Sequence, residues 1–194
     1  DLTAKTILKA SVGKGYRIAN ALSENMGVLA SSRKIIFVEV LNPEEAWNYG
    51  ISLSRYFSIN GKKATFILDY YRTDFINQVI ADMEKRYDEV SFYNLKGQSF
   101  SNSAQAELIF EPIDRLEINA AFRINDVRTT INGKLDQKAF SNRHKGLLSL
   151  SYATKFEKWQ FDFTSQYNGK IRVPDTDYLP KEYKPYEKAR AYVL

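Results

Sequence analysis

Few residues of this chain are equipped for covalent or metal chemistry. It holds one histidine, His144, set between Arg143 and Lys145, and no cysteine. A nucleophile triad needs a partnered histidine and an oxyanion-stabilising turn, and no G-x-S-x-G elbow occurs. His144 therefore reads as a residue at a loop end. Met26 and His144 could share a metal, but their spacing carries no ligand pattern. Gly13-Lys14-Gly15 lacks the rest of a phosphate-binding loop and reads as a bend at a strand end. Asp69, Glu107, Glu111 and Asp162 could form hydrolytic carboxylate pairs, yet polar lining of a wall explains them more simply. The sequence predicts no enzyme, no cofactor and no metal site.

The elements that must carry these side chains repeat with period two. After the Pro-Glu-Glu turn of LNPEEAWNYGISLSRYF, Trp47, Tyr49, Ile51, Leu53 and Phe57 share one parity. Asn48, Gly50, Ser52, Ser54 and Ser58 share the other, with Tyr56 the large exception. The same alternation marks strands near 6–13, 64–71, 103–111, 116–125, 148–152 and 159–168, which makes about seven in all. Asn60-Gly61 is a hairpin turn, and Pro112 to Arg115 is a second tight connection. Tight turns at 59–63, 112–115 and 154–158 alternate with longer links at 18–45, 74–101, 127–143 and from 169 onward. That alternation predicts an all-β, antiparallel up-and-down meander. Phe75, Val79, Ile80 and Met83 stand at helical spacing, but no stop signal follows Tyr70-Tyr71, so a continued strand is expected there. Ile35 to Val38 form an apolar patch inside the first long link, suited to local pairing.

Composition sorts the classes that such a meander could serve. No run approaches the roughly 18 uncharged apolar residues of a membrane helix, and mean hydropathy is −0.42. Neither excludes a transmembrane barrel, whose strands hide apolar residues by alternation. The non-apolar face is rich in Ser, Thr, Asn and Gln, whereas a soluble sheet would turn a charged face to water. Aromatics lie near strand ends, as at Trp47 and Phe57, Phe66 and Tyr70, Trp159 and Tyr167, and suit girdles at two bilayer interfaces. Arg55 and Arg72 share the apolar face near strand ends, where long side chains can snorkel. A soluble barrel or sandwich binding a small hydrophobic ligand is the alternative.

The net charge is +5, with basic clusters at Arg33-Lys34, Arg143 to Lys145 and Lys181 to Arg190. Such charge permits nucleic acid, anionic lipid or acidic ligands. No recognised nucleic-acid module appears, so nucleic acid is not an expected partner. The opening Asp1-Leu2-Thr3 has no Met and no signal segment, so a processed chain or a piece of a longer one is expected.

In order along residues 4–174 stand GKGYRIAN, ENMGVLASS, LNPEEAWNYGISL, DYYRTDFINQV, FYNLKGQSFSNSAQAELIFEPIDRLEINAAF and QYNGKIRVP. With the L-x-P-E-x-x-x-N-Y entry at Leu41 to Tyr49, this order resembles part of the barrel of a TonB-dependent outer-membrane receptor. The resemblance implies a multi-pass Gram-negative outer-membrane barrel of about 22 strands around a plug domain. It implies TonB-energised uptake of a scarce ligand such as a ferric siderophore or cobalamin. Residues 1–194 would then be an internal slice of about seven strands, without plug, TonB box or terminal strands. Its partners would be the rest of the receptor, the TonB complex through the missing N-terminus, lipopolysaccharide or lipid, and the imported ligand. Extracellular loops 18–45, 75–100, 127–143 and 170–190 would help to admit that ligand. Glu24, Asn25 and Arg128, polar residues in those predicted loops, are the candidate ligand contacts.

Overall fold

The computed structural model describes residues 5–174, 180–183 and 188–194. Seven long strands dominate it, with shorter ones set between them. In chain order they are β1 (Lys5–Arg17), β2 (Lys34–Phe37), β3 (Glu44–Ile59), β4 (Lys62–Asn77), β5 (Val79–Asp82), β6 (Glu89–Asn94) and β7 (Ser99–Ile113). There follow β8 (Leu116–Ile131), β9 (Lys134–Gln137), β10 (His144–Ala153), β11 (Gln160–Asn168), β12 (Ile171–Arg172), β13 (Lys188–Ala189) and β14 (Tyr192–Val193). The main sheet runs β1-β3-β4-β7-β8-β10-β11-β14, with β9 folded back on β8. Every pairing in it is antiparallel, so the chain is the expected up-and-down meander.

Register turns the period-two pattern of single strands into two continuous faces. Leu8, Leu53, Leu68, Ala106, Phe122 and Gly146 lie side by side from β1 to β10. Two levels nearer the tight turns, Phe57, Ala64, Phe110, Ile118, Leu150 and Phe163 do the same. Side chains alternate across a strand, so one matching register is enough to keep each apolar set on a single face. Much of that face meets no protein: Leu8 is 65% exposed and Phe163 56%. The opposite face carries Lys9, Ser52, Asp69, Gln105, Arg123 and Lys145 in one row.

Turns fix these registers. Asn60 and Gly61 both have positive φ, 50° and 77°, the conformation that a two-residue hairpin needs and that Asn-Gly tolerates best. Between β7 and β8 the register shifts from Phe110 to Ile113, leaving Pro112, which has no N–H to offer, out of the ladder. Lys62, in the first hairpin, forms an ion pair with Asp114 in the second and ties neighbouring turns together. Gly50 lies under the Tyr71 ring, and a Cβ there would come within 2.6 Å of it.

The buried apolar core lies elsewhere, in the long links. Strands β2, β6 and β5 form a separate sheet in that order, β2 parallel and β5 antiparallel to β6. The patch at Ile35 to Val38 thus pairs with the following long link. Val90 and Phe92 on the central strand are 0% and 1% exposed and pack with Ala21, Ile35, Leu41, Val79, Ala81 and Met83. Burying each large side chain contributes about 1.5–3 kcal/mol. The segment with helical spacing is extended: β4 continues to Asn77 and β5 follows almost at once. On β5, Ile80 and Asp82 are buried on one face, while Val79 and Ala81 pack into the core on the other.

Two boundaries differ from the sequence reading. Glu44 and Glu45 open β3, because Arg17 and Glu44 pair across from β1. The loop expected at 127–143 is shorter, since β8 runs to Ile131 and turns through Asn132-Gly133 into β9. Asn132 and Gly133 also have positive φ, 51° and 76°, a second Asn-Gly hairpin.

Candidate functional site

The long-loop end of the sheet holds a cavity of about 430 Å³ lined by residues of several connections, among them Arg17, Glu24, Asn25, Glu44, Glu84 and Phe140. Two arginines organise its walls. Arg17, last on β1, donates from Nε to Glu44 Oε2 at 2.9 Å and reaches Glu24 at 3.0 Å. Glu44 is 8% exposed, and its second oxygen accepts the backbone N–H of Val79 at 3.0 Å. A buried carboxylate is tolerable only with such partners. Here they join β1, β3 and β5. Arg172, on β12, binds Glu84 through two nitrogens at 2.6 and 3.2 Å and donates from Nε to the Gln137 carbonyl at 2.6 Å. The planar guanidinium matches a carboxylate in this forked arrangement and fixes its direction.

A third cluster stiffens the loop module from inside. Asp82 Oδ1 accepts the N–H groups of Glu84 and Lys85 at 2.8 and 3.2 Å, an Asx turn. Its Oδ2 accepts the Tyr93 hydroxyl at 3.2 Å. Burial, followed by the Asp82 charge, pushes the Tyr93 phenol well above its ordinary range. Outside this cluster, the Asp88 carboxyl is held below its usual range by its bond to Arg86.

Of the residues expected to contact ligand, the structure brings Glu24 and Asn25 to this cavity and leaves Arg128 elsewhere. Glu24 Oε1 accepts the Asn20 N–H at 3.1 Å, and Asn25 Nδ2 donates to the Ala21 carbonyl at 2.8 Å. Arg128 is part of β8 rather than of a loop, because the Asn132-Gly133 hairpin prolongs the strand. It has the parity of the apolar face, and its Nε bonds Asp126 at 3.0 Å. Arg17, Glu44, Glu84 and Arg172 escaped the sequence reading. Glu44 had a visible signal in the paired glutamates after Pro43, whereas the Arg172–Glu84 pair joins residues far apart in sequence.

The chemistry candidates settle into structural places. His144 opens β10, pairs with Ile124 across the strands and stacks on Phe122 at 6.1 Å. Glu107 accepts Asn119 Nδ2 at 3.0 Å and Gln105 Nε2 at 3.4 Å, Asp162 accepts Ser151 Oγ at 2.6 Å, and Glu111 accepts the Arg115 N–H at 3.0 Å. Among the described residues no group of three or more His, Cys, Asp or Glu gathers as a metal site. The basic tail expected at Lys181 to Arg190 lies partly outside the described residues.

On the apolar face the levels sort by chemistry. Trp47 and Tyr49 stack at 6.4 Å near the long-loop end, with Lys14 at 6.0 Å over Trp47. Arg72 binds Asp74 from Nε at 2.8 Å and lies 4.9 Å from the Phe100 ring centre. Leu53, Leu68 and Phe122 follow below, and Phe57 and Phe110 lie nearest the tight turns. An aliphatic belt between aromatic levels, with cations at its edge, is the outer surface of a transmembrane β-barrel. No curated protein matches the chain. A family model described as "TonB dependent receptor-like, beta-barrel" matches residues 1–194. Wall, belt and family match agree: the chain belongs to the TonB-dependent receptor β-barrel family, transport receptors of the outer membrane.

Proposed function

We propose that this chain is about a third of the wall of such a barrel and serves TonB-energised import of a scarce ligand, of the ferric-siderophore or cobalamin class, in a Gram-negative cell. The observation that carries this reading is the apolar band held in register across seven strands, with polar residues on the reverse face. Further strands would continue from the free edge of β1 and from the far side of the sheet, where β14 pairs with only the last residues of β11, since open edges at membrane depth leave backbone groups unsatisfied. A plug would fill the polar side and couple to TonB. The long-loop end would face outward, its cations at Lys14 and Arg72 level with lipopolysaccharide or lipid headgroups. Glu24 and Asn25 would meet ligand at the cavity, and Arg128 would reach it only from the rim.

Fractionation of cells making the whole receptor tests the reading. Recovery in outer membranes, with extraction only by detergent, is expected. A stable monomer in the detergent-free soluble fraction would refute it and favour a soluble ligand-binding barrel.

A further inference from the structure

On the polar face, Arg123 of β8 and Lys145 of β10 stand directly opposite each other. Like charges at facing positions of neighbouring strands destabilise a sheet unless something lies between them. No carboxylate among the described residues forms an ion pair with either. Glu107, one residue level away, has each oxygen engaged, one by Asn119 and one by Gln105. Asp69 lies in the same row but two strands from Arg123, roughly 10 Å at ordinary strand spacing. Arg123 uses only Nε, donating to Gln105 Oε1 at 2.7 Å, which orients the guanidinium and leaves its two terminal nitrogens free. Both cations border a groove of about 340 Å³ that Gln105, Glu107, Leu147 and Gln166 help to line.

We propose that Arg123 and Lys145 form a binding site for an oxyanion, a carboxylate or phosphate, on the inner wall at the depth of the apolar belt. The oriented guanidinium offers a fork and the ammonium a point charge, a suitable pair for one such group. The proposal rests on the polar face being the barrel interior. The anion is either a free solute or a carboxylate of another part of the receptor.

The test is thermal unfolding of the whole receptor, purified in detergent, as wild type and as Arg123→Gln/Lys145→Gln. If an anion bridges the cations, the variant melts lower at low salt by about 2 °C or more, and the gap closes in high salt. If the cations are merely solvated, removing their repulsion leaves the midpoint unchanged or raises it, and the proposal falls. Added pyrophosphate that raises the wild-type midpoint but not the variant's identifies a free anion; no response beside a lower-melting variant identifies a receptor carboxylate. Should the variant fail to fold, amine acetylation of the wild type decides. Lys145 labelling that rises with salt supports the site, and labelling indifferent to salt overturns it. Outer-membrane recovery is scored separately, so failure of the localisation and failure of this site remain distinct.

Discussion

The wall and the loop module are both β-structure, but they solve opposite problems. The wall's long strands have almost no buried apolar side chains; their order comes from ladders of backbone bonds and from a surface suited to a non-aqueous surrounding. The module's short strands bury Val90 and Phe92 completely and tie down their charges with Arg17, Glu44, Glu84 and Arg172. One is organised by its solvent, the other by its own interior. The same alternating code therefore reads differently in the two places: an apolar parity means lipid in β3 and β4, and packing in β5 and β6.

Substitutions that act on one region alone sharpen this contrast. Phe92→Ala has the largest expected effect, about 3–5 kcal/mol of local stability. Hydrogen exchange and proteolysis should rise across 78–98 while the wall's far-ultraviolet signal stays. Leu68→Arg should cost about 2–4 kcal/mol in a bilayer, seen as a lower unfolding midpoint in lipid. Ser52→Arg, on the polar face, should be nearly silent, and equal effects would erase the distinction between faces. Gly50→Val forces a branched side chain against the Tyr71 ring, and overpacking of this kind costs about 1–3 kcal/mol. Gly50→Val with Tyr71→Ala should recover part of that loss, the remainder staying where the new side chain meets Ser11 Oγ, 2.7 Å from the added Cβ. The smallest effect near neutrality is the pH response of Tyr93. Its folded pKa lies above the unfolded value of about 10. Its contribution is complete below that value and is lost as pH rises beyond it. Base should therefore open the module before the wall, and Tyr93→Phe should flatten the response, as read by loop proteolysis against pH.

How legible each region was follows from the range of its interactions. Wall strands announce themselves because period two is local, and Asn60-Gly61 marks its hairpin within two residues. Asn132-Gly133 carries the same signal but sits among polar residues without a clean alternating run, so β9 passed unseen and Arg128 was placed in a loop. Helical spacing at Phe75, Val79, Ile80 and Met83 arises where a one-faced wall strand gives way to β5, buried on both faces. Two buried faces in sequence put apolar residues next to one another and imitate a helix. The cavity was half legible: Glu24 and Asn25 lie on one of its loops, while their neighbours Glu44 and Glu84 arrive through distant pairings.

The parallel partnership of β2 with β6 bears on the order of assembly. Antiparallel wall strands can be added one at a time, each pairing with the wall strand just before it, across a short turn or a single long link. Strand β2 comes early in the chain, yet its mate arrives only after β3, β4 and β5. Closing so long a circuit carries an entropic penalty that nearest-neighbour hairpins avoid. The outer module should consequently mature after the strands beneath it have docked, and a stalled intermediate would have a nearly finished wall with the Lys34–Phe37 segment still unpaired.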